Sequence, residues 1–238
     1  MEPPCEDWII VLAKEPRLGL AKTRLARDVG AEAAQELAEA FVIDTLELVQ
    51  GLARTRAMTK VLIAYAPDDA RAWFAGRAPG AELLCQPPGD LGARMEAAGD
   101  FAFESATASL VASPAASPAR ARCVMIGMDT PHLDPSRLDA AFDALALGSD
   151  AVFGPSEDGG YYLVGLSRPL PVLFAEIPWS TAAVLDLTME RAAAEGLRVH
   201  QLPTELDVDD GADLARLAAA LVDSDRAPAT QRALSARL

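Results

Sequence analysis

The sequence predicts an α/β protein in which a mostly parallel, mixed β-sheet lies between helices on both faces, as a three-layer α/β/α sandwich. Short apolar runs of strand length alternate with longer segments of helical period along the chain. Hydrophobic residues make up 51% of the 238 residues, which is enough for a sizeable core. The three cysteines include no CxxC pair, so neither a disulfide framework nor a zinc site is indicated. We expect residues 1–238 to form a single domain.

The first half of the chain opens with the apolar run WIIVLA at 8–13, which is typical of a buried parallel strand. A helix is predicted over 31–53, because Leu37, Phe41 and Leu48 recur at helical spacings in a segment rich in Ala, Leu and Glu. The alternation then continues with predicted strands at 61–65 and 82–85 and predicted helices at 68–75 and 91–104.

The second half resumes the alternation after an interruption. Residues 105–121 are rich in Ala, Ser and Pro and show little periodicity, so we expect a flexible surface loop or a frayed helix end there, and a domain boundary is the further alternative. Beyond it, strands are predicted at 123–127, 151–154, 161–165 and 198–202, and helices at 135–146, 181–195 and 210–222. The tail at 224–238 is expected to be loose.

The charge balance bears on partners and compartment. A net charge of -14 and a pI of about 4.5 disfavour general nucleic-acid binding and anionic membranes, because a strongly acidic surface repels phosphates. No apolar run approaches the roughly 20 residues of a membrane span. Acidic residues precede the first apolar run, so no secretory signal is indicated. We expect a cytoplasmic protein, with self-association left open.

The segment KEPRLGLAKTRLAR at 14–27, which we call the basic loop, directly follows the first predicted strand. Its five basic residues and one acidic residue give a local charge of +4 within a chain of net charge -14. Clustered cations at a strand end suit a polyphosphate, and Gly19 allows close backbone approach. Ala21 stands before Lys22 and Thr23, where a Walker loop requires Gly. The alternative is that these cations merely balance the acidic surface.

Two acidic segments also follow predicted strands. Asp129 comes just after the strand at 123–127, where it could hold a divalent cation or cap the helix at 135–146. The cluster Asp207, Asp209 and Asp210 could supply a second metal carboxylate, although at least one of them is expected to cap the helix at 210–222.

Further polar segments lie at other predicted strand ends. The stretch GPSEDGGYY at 154–162 could approach a ligand through its glycines or form a plain hairpin turn. In the stretch QPPGDLGAR at 86–94, Asp90 could simply cap the next helix, and Arg94 could face a base or phosphates. His132 and His200 are the two histidines, so a Ser–His–Asp triad is poorly supported.

Together these motifs resemble the DUF2064 family, also called rSAM/selenodomain-associated transferase 1. The matching stretches are KEPRLGLAKTRL (14–25), QPPGDLGARM (86–95), IGMDTPHL (126–133), GPSEDGGYYLVGL (154–166), IPWST (177–181) and LDVDDGADL (206–214). This family belongs to the GT-A-like nucleotide-diphospho-sugar transferase superfamily and is similar to 2-phospholactate guanylyltransferases and molybdopterin nucleotidyltransferases.

The resemblance implies a GT-A-like fold with a nucleotide bound through Mg²⁺ or Mn²⁺. Asp129 matches the superfamily's metal aspartate, and Asp209 matches a late aspartate that supplies a second ligand, although Asp210 and Gly211 replace the usual Thr-Pro there. His132 stands where the family usually has Asp.

We combine the residues and the resemblance into three predicted sets. Lys22, Arg24 and Asp129 are expected to carry catalysis, with Asp129 and Asp209 as metal ligands. The expected nucleotide-binding residues are Lys14, Arg17, Gly19, Lys22, Thr23, Arg24, Gln86, Gly89, Asp90 and Arg94. The expected residues for a small-molecule acceptor are Glu157, Asp158, Gly159, Gly160, Tyr161, Trp179, Ser180 and Thr181.

Three functions fit these expectations. The first is a nucleotidyltransferase that joins an NTP to a small anionic acceptor and releases pyrophosphate. The second is a glycosyltransferase that uses an NDP-sugar donor. The third is a nucleotide-binding domain without catalysis. The basic loop favours the first, because a triphosphate carries more charge than a sugar diphosphate ester.

Overall fold

The computed structural model describes residues 5–111 and 120–236. Seven strands form one sheet in the order β3-β2-β1-β4-β6-β5-β7. Their bounds are β1 Cys5–Lys14, β2 Thr59–Ala66, β3 Glu82–Cys85, β4 Arg120–Ile126, β5 Ala151–Pro155, β6 Tyr161–Leu166 and β7 Val199–Gln201. β6 is antiparallel to both of its neighbours, β4 and β5, whereas the other pairs are parallel. The predicted mostly parallel mixed sheet is confirmed.

The described residues form eight α-helices around this sheet. They are α1 Leu25–Val29, α2 Ala31–Thr55, α3 Arg71–Arg77, α4 Leu91–Val111, α5 Pro135–Ala146, α6 Val184–Ala194, α7 Gly211–Ala220 and α8 Pro228–Ser235. No helix of residues 5–111 or 120–236 has both the length and the apolar character needed to cross a bilayer.

The central strand β1 shows why three layers form. Ile9 and Val11 belong to a core cluster that includes buried residues of α2, α3 and α5. Trp8 and Ile10, which point to the opposite face, belong to a second cluster with α4 and α6. Since both faces of the strand are apolar, the sheet is stable only when helices cover both sides. The three-layer α/β/α sandwich is therefore confirmed.

Two predicted irregular segments are helical instead. α4 continues through Ser105 to Val111, because Ala106 is 1% exposed and packs against the sheet although the segment has little hydrophobic periodicity. Arg120 and Ala121 already belong to β4, and the rest of the predicted flexible loop, 112–119, lies outside the described residues. The expectation of a loop over all of 105–121 is therefore wrong, whereas the alternative of a helix end agrees with residues 105–111.

The predicted loose tail at 224–238 is also wrong for most of its length. α8 docks on α2, where the buried carboxylate of Asp44 accepts hydrogen bonds from the backbone N–H groups of Ala229 (2.9 Å) and Thr230 (2.8 Å). The Thr230 hydroxyl donates to the same carboxylate at 2.6 Å. Residues 237–238 lie outside the described part of the chain. A side chain of α2 thus takes the place of a local N-cap for α8.

Candidate active site

A pocket of about 620 Å³ opens at the carboxyl ends of β1 and β4, where the α/β architecture places ligands. Its floor is apolar and includes Leu12, Met125, Leu163 and Val164. Its walls come from the first turns of α4, the β5–β6 hairpin, the segment around Trp179 and the segment before α7. The pocket therefore combines an apolar floor with polar groups that belong to several different elements.

Asp129 and Asp209 line the pocket, and both contact Lys22, which does not line it; we call the three residues the Lys22 cluster: Lys22, Asp129 and Asp209. Lys22 Nζ lies 2.6 Å from Asp129 Oδ1 and 3.7 Å from Asp209 Oδ1. It also donates to the Val208 carbonyl at 2.5 Å. The Lys22 side chain is 6% exposed, while those of Asp129 and Asp209 are 44% and 36% exposed. One buried ammonium therefore faces two carboxylates that solvent can reach.

Local backbone structure brings these residues together. Val208 is fully buried in a third core cluster with α1, α7 and α8 neighbours, so in an extended chain Asp207 and Asp209 project to the other side. The Val208 N–H donates to the Asp129 carbonyl at 2.9 Å, which joins the segment before α7 to the end of β4. Lys22 itself has φ of 45°, an uncommon value for a residue with a side chain.

The structure separates ligand candidates from helix caps. Asp210 is the N-cap of α7 and forms a capping box with Asp213. This agrees with the expectation that at least one aspartate of its cluster caps the helix. Asp134, not Asp129, caps α5 by accepting from the Ser136 N–H. Asp129 and Asp209 are therefore left free of capping duties.

Asp207 is a half-buried acid of the pocket wall that the predicted site sets did not include. Burial, reinforced by the nearby charges of Asp129 and Asp158, raises its pKa to about 6, and a hydrogen bond from the Thr130 hydroxyl (2.5 Å) works in the opposite direction. Thr130 and Ser156, also outside the predicted sets, line the same pocket. The alternation of Asp207, Val208 and Asp209 was the available signal for Asp207, whereas nothing in the sequence singles out Thr130 or Ser156.

The basic loop is only partly directed at the pocket. Lys14 lines it. Arg24 pairs with Asp209 Oδ2 at 3.1 Å and remains 70% exposed. Arg17 is held away by Glu15 and by Asp69, whose carboxylate lies 2.6 Å from the guanidinium. The other predicted residues of this loop do not line the pocket: Arg17, Gly19 (φ of 74°), Lys22, Thr23 and Arg24.

The stretch after β3 forms another part of the wall. Gln86 donates to the carbonyls of Ala13 (3.3 Å) and Ala64 (2.6 Å), so it ties together the ends of β1 and β2. Asp90 accepts from the Ala93 N–H at 2.9 Å, so it caps the start of α4 while lining the pocket. Arg94 also lines the pocket, whereas Gly89 does not.

The glycine-rich stretch at 154–162 forms a hairpin loop, which was one of its two expected structures. Part of this loop also lines the pocket. Asp158 Oδ1 accepts from the Ser156 hydroxyl (2.7 Å) and from the Gly160 N–H (2.9 Å). Gly159 lies outside the lining but against Ala182, so closely that a Cβ would collide with its carbonyl. Glu157 points elsewhere and pairs with Arg216.

The loop before α6 closes the remaining side. Tyr161 and Trp179 pack edge to face, with ring centroids 6.4 Å apart and an interplanar angle of 82°. Ser180 and Thr181 line the pocket beside them, and the Thr181 hydroxyl donates to the Pro178 carbonyl at 2.8 Å. The aromatic pair thus belongs to the ligand pocket as well as to the packing of the fold.

A divalent cation is implied by the family resemblance, and the Lys22 cluster fits one. An ammonium group already occupies the space between the Asp129 and Asp209 carboxylates, so the two side chains converge on a position suited to a cation. Among residues 5–111 and 120–236, no three His, Cys, Asp or Glu side chains are grouped as a complete metal site. Mg²⁺ commonly takes one or two carboxylates and completes its shell with water and phosphate oxygens.

Comparison with solved structures supports the fold. A candidate nucleotide-diphospho-sugar transferase from Desulfovibrio desulfuricans G20 is 31% identical to this chain, covers 98% of this chain and 96% of its own, and has a TM-score of 0.82. Rv0371c from Mycobacterium tuberculosis H37Rv is 17% identical, covers 91% of this chain and 98% of its own, and has a TM-score of 0.51.

A 4-diphosphocytidyl-2C-methyl-D-erythritol synthase is 10% identical, covers 94% of this chain and 100% of its own, and has a TM-score of 0.54. The two more distant structures share the fold alone.

Sequence comparison identifies the family. No curated protein matches this chain significantly. Residues 48–181 match the family described as "Uncharacterized protein conserved in bacteria (DUF2064)". This match spans more than half of the chain, and the 31% identity to the Desulfovibrio protein extends over nearly all of it. The chain therefore belongs to the DUF2064 family.

Proposed function

We propose that this protein is a Mg²⁺-dependent nucleotidyltransferase that joins the nucleotide of an NTP to a small anionic acceptor. The observation that carries the proposal is the Lys22 cluster, in which a buried ammonium contacts two solvent-accessible carboxylates that line the 620 Å³ pocket. Such a group offers both a cation for phosphate oxygens and carboxylates for a divalent metal. Mn²⁺ could replace Mg²⁺ in the same position.

In the proposed reaction an acceptor oxygen attacks the α-phosphorus of the NTP. A new P–O bond forms, the bond from the α-phosphorus to the α,β-bridging oxygen breaks, and pyrophosphate leaves with that electron pair. The acceptor loses its proton to water if it is a hydroxyl and needs to lose none if it is an ionised phosphate. A bound Mg²⁺, held by Asp129 and Asp209, would supply Lewis-acid stabilisation of charge on the phosphate oxygens.

The protein contributes position and charge to this step. Lys22 is held in place by the Val208 carbonyl and by Asp129. Its ammonium is therefore preorganised to neutralise charge on the departing pyrophosphate. Lys14 lines the pocket from the end of β1 and adds a second cation. Arg24, which is mostly exposed and bound to Asp209, is positioned to provide a third. Arg17 would first have to leave Asp69.

Glycosyl transfer from an NDP-sugar is the second candidate. The similarity to the Desulfovibrio protein, a candidate nucleotide-diphospho-sugar transferase, favours it. In that case the Lys22 cluster would hold the diphosphate that leaves as NDP, and Asp158 at the pocket wall could accept a proton. The basic loop still favours the triphosphate donor, since its charge exceeds that of a sugar diphosphate.

The donor can be identified by calorimetric titration of the full chain with the four NTPs and with a set of NDP-sugars, each with and without Mg²⁺. Asp129→Asn tests the metal-dependent part of binding. Asp134→Asn is the matched control, because it removes a carboxylate from the same loop but lies outside the pocket and Asn also caps helices. We expect Mg²⁺-dependent NTP binding that Asp129→Asn weakens about tenfold or more and that Asp134→Asn leaves unchanged.

Other outcomes would change the assignment. Tight binding of NDP-sugars and not of NTPs would replace nucleotidyl transfer by glycosyl transfer. Equal NTP binding by the parent protein and Asp129→Asn, with Mg²⁺ present, would remove Asp129 from the site. Absence of any nucleotide effect would reject both transferase proposals, and nucleotide binding without turnover of any acceptor would favour a non-catalytic domain.

A further inference from the structure

Two pocket side chains hold buried N–H groups that lack an acceptor among the residues that the structure describes. They are Arg94 Nε and Trp179 Nε1. Native proteins contain few such groups, because each unpaired buried donor costs free energy. Their occurrence together in one pocket suggests that a ligand supplies the missing acceptors.

Both groups belong to the same wall. The indole of Trp179 lies close to the first turn of α4 at Gly92, where a Cβ would stand only 3.0 Å from Nε1 and 2.9 Å from Cζ2. Arg94 follows Gly92 by two residues on the same helix, and the Tyr161 ring meets Trp179 edge to face. Arg94, Tyr161 and Trp179 all line the pocket, and together with Gly92 we call them the Arg94 wall: Gly92, Arg94, Tyr161 and Trp179.

The charge around the pocket is unevenly distributed. Five aspartates are among the described lining residues, but only two of those residues, Lys14 and Arg94, carry a positive charge. Lys14 stands at the end of β1 on the side of the Lys22 cluster. Arg94 has no acidic partner within ion-pair distance in the described part of the chain, although a guanidinium inside a pocket is costly without one.

We propose that the Arg94 wall is the acceptor subsite and binds the anionic group of the acceptor, a carboxylate or a phosphate. Arg94 supplies the guanidinium fork, Trp179 supplies one further N–H, and the apolar or planar body of the acceptor lies on the rings of Trp179 and Tyr161. This assignment moves Arg94 from the nucleotide to the acceptor. It rests on the proposed function, because it names the substrate class of the same pocket.

Benzoate and phenyl phosphate are suitable probes, since each combines a planar ring with one of the two anions, and benzamide is the neutral control. Their affinities for the full chain would be measured by ligand-observed NMR, with and without Mg²⁺ and NTP. Arg94→Met removes the guanidinium and keeps an apolar stem, Arg94→Lys keeps the charge, and Trp179→Phe keeps a ring without the N–H. Arg27→Met is the matched control, an exposed arginine of α1 outside the pocket.

We expect at least one anionic probe to bind the parent protein more tightly than benzamide. Arg94→Met should weaken that binding about 10- to 100-fold, as expected for hydrogen bonds to a charged group. Arg94→Lys and Trp179→Phe should give smaller losses, and Arg27→Met none. NTP affinity should change less than about twofold in Arg94→Met, since the phosphates lie at the Lys22 cluster.

Several results would overturn this assignment. If neither anion outcompetes benzamide, or if Arg94→Met binds the anions as well as the parent protein does, the wall is not an anion subsite. If Arg94→Met weakens all four NTPs equally, Arg94 holds nucleotide phosphates. If it weakens GTP alone, Arg94 reads the base.

The probes report on the wall separately from the donor. Arg94-dependent binding of benzoate or phenyl phosphate in a protein that binds no nucleotide would leave the anion subsite standing while the proposed function fails. Nucleotide binding without Arg94-dependent anion binding would leave the proposed function standing while the anion subsite fails.

Discussion

The two ends of β1 carry charged clusters that are built from similar groups and differ in how completely they are paired. Near the start of the strand, the buried Asp7 accepts from Arg56 Nε at 2.8 Å on one oxygen and from Arg122 Nε at 2.7 Å on the other. Beyond its end, the single ammonium of Lys22 is shared among Asp129, Asp209 and a backbone carbonyl.

The difference separates a structural ion cluster from a functional one. Two guanidinium groups saturate both oxygens of Asp7, whose side chain is 4% exposed, so no ligand can enter there. In the Lys22 cluster the carboxylates are 44% and 36% exposed, and Arg24, which pairs with Asp209 Oδ2, is itself 70% exposed. A cluster of charges therefore indicates a binding site when it is incompletely paired and open to solvent, not merely because the charges are close.

The largest expected effect is on the paired end. Asp7→Asn should lower the free energy of unfolding by about 3 kcal/mol, because it leaves two arginines without their buried counter-charge. Urea unfolding would measure the loss, with the exposed Glu195→Gln as control. Mn²⁺ affinity at the other end should stay unchanged. A loss below about 1 kcal/mol would place Asp7 among ordinary surface ion pairs.

At the open end, Lys22→Met should lower turnover about 100-fold with the true substrates, the usual scale for removing one charge-stabilising group. The same change should tighten Mn²⁺ binding, since the ammonium and the metal compete for Asp129 and Asp209. Electron paramagnetic resonance of free Mn²⁺ would measure this affinity. Arg27→Met is the control, because it removes an equal charge from an exposed position of α1. If both variants tighten Mn²⁺ equally, net charge and not competition is responsible.

Neighbouring aspartates allow a finer comparison within the open end. Asp210→Ala should cost about 1 kcal/mol of stability through the lost N-cap of α7 and leave Mn²⁺ affinity intact. Asp209→Ala should do the opposite and weaken Mn²⁺ binding with little change in thermal midpoint. Calorimetry for both quantities would show whether the two roles divide between adjacent residues, and a metal loss in Asp210→Ala would contradict that division.

The smallest expected effect concerns pH. Burial lowers the pKa of His132, with the nearby Arg226 acting in the same direction and Glu205 opposing. Because the folded-state pKa lies below its unfolded value of about 6.5, stability is complete above that pH and falls as the pH drops towards the folded pKa. The free energy of unfolding should therefore be larger at pH 7 than at pH 5, and this difference should be smaller in His132→Gln. The exposed His200→Gln should show the full difference, and an identical difference in His132→Gln would refute the linkage.

The sequence was sufficient where the signal is local. The bounds of β3 and α5 agree with the predicted ranges 82–85 and 135–146, because apolar periodicity and a cap residue mark them. The nearness of Asp129 and Asp209 was expected, because both follow predicted strands and match metal positions implied by the family resemblance. The Lys22 contacts were not, since they depend on a loop conformation with positive φ and on a carbonyl 186 residues away.

Long-range partners also explain the missed helices. The end of α4 is stabilised by packing of small residues such as Ala106 against the sheet, which leaves no strong hydrophobic pattern. α8 has few buried residues of its own. No residue near α8 in the sequence indicates that Asp44, from the middle of α2, caps this helix.

That contact has a practical meaning for anyone who trims the chain. A segment that looks disposable by composition carries the donors for a carboxylate buried under it, so cutting before α8 would strand the charge of Asp44 inside the protein. Shortened versions would then be prone to aggregate for reasons unrelated to catalysis. Affinity tags and fusion partners are better attached after the last helix than substituted for it.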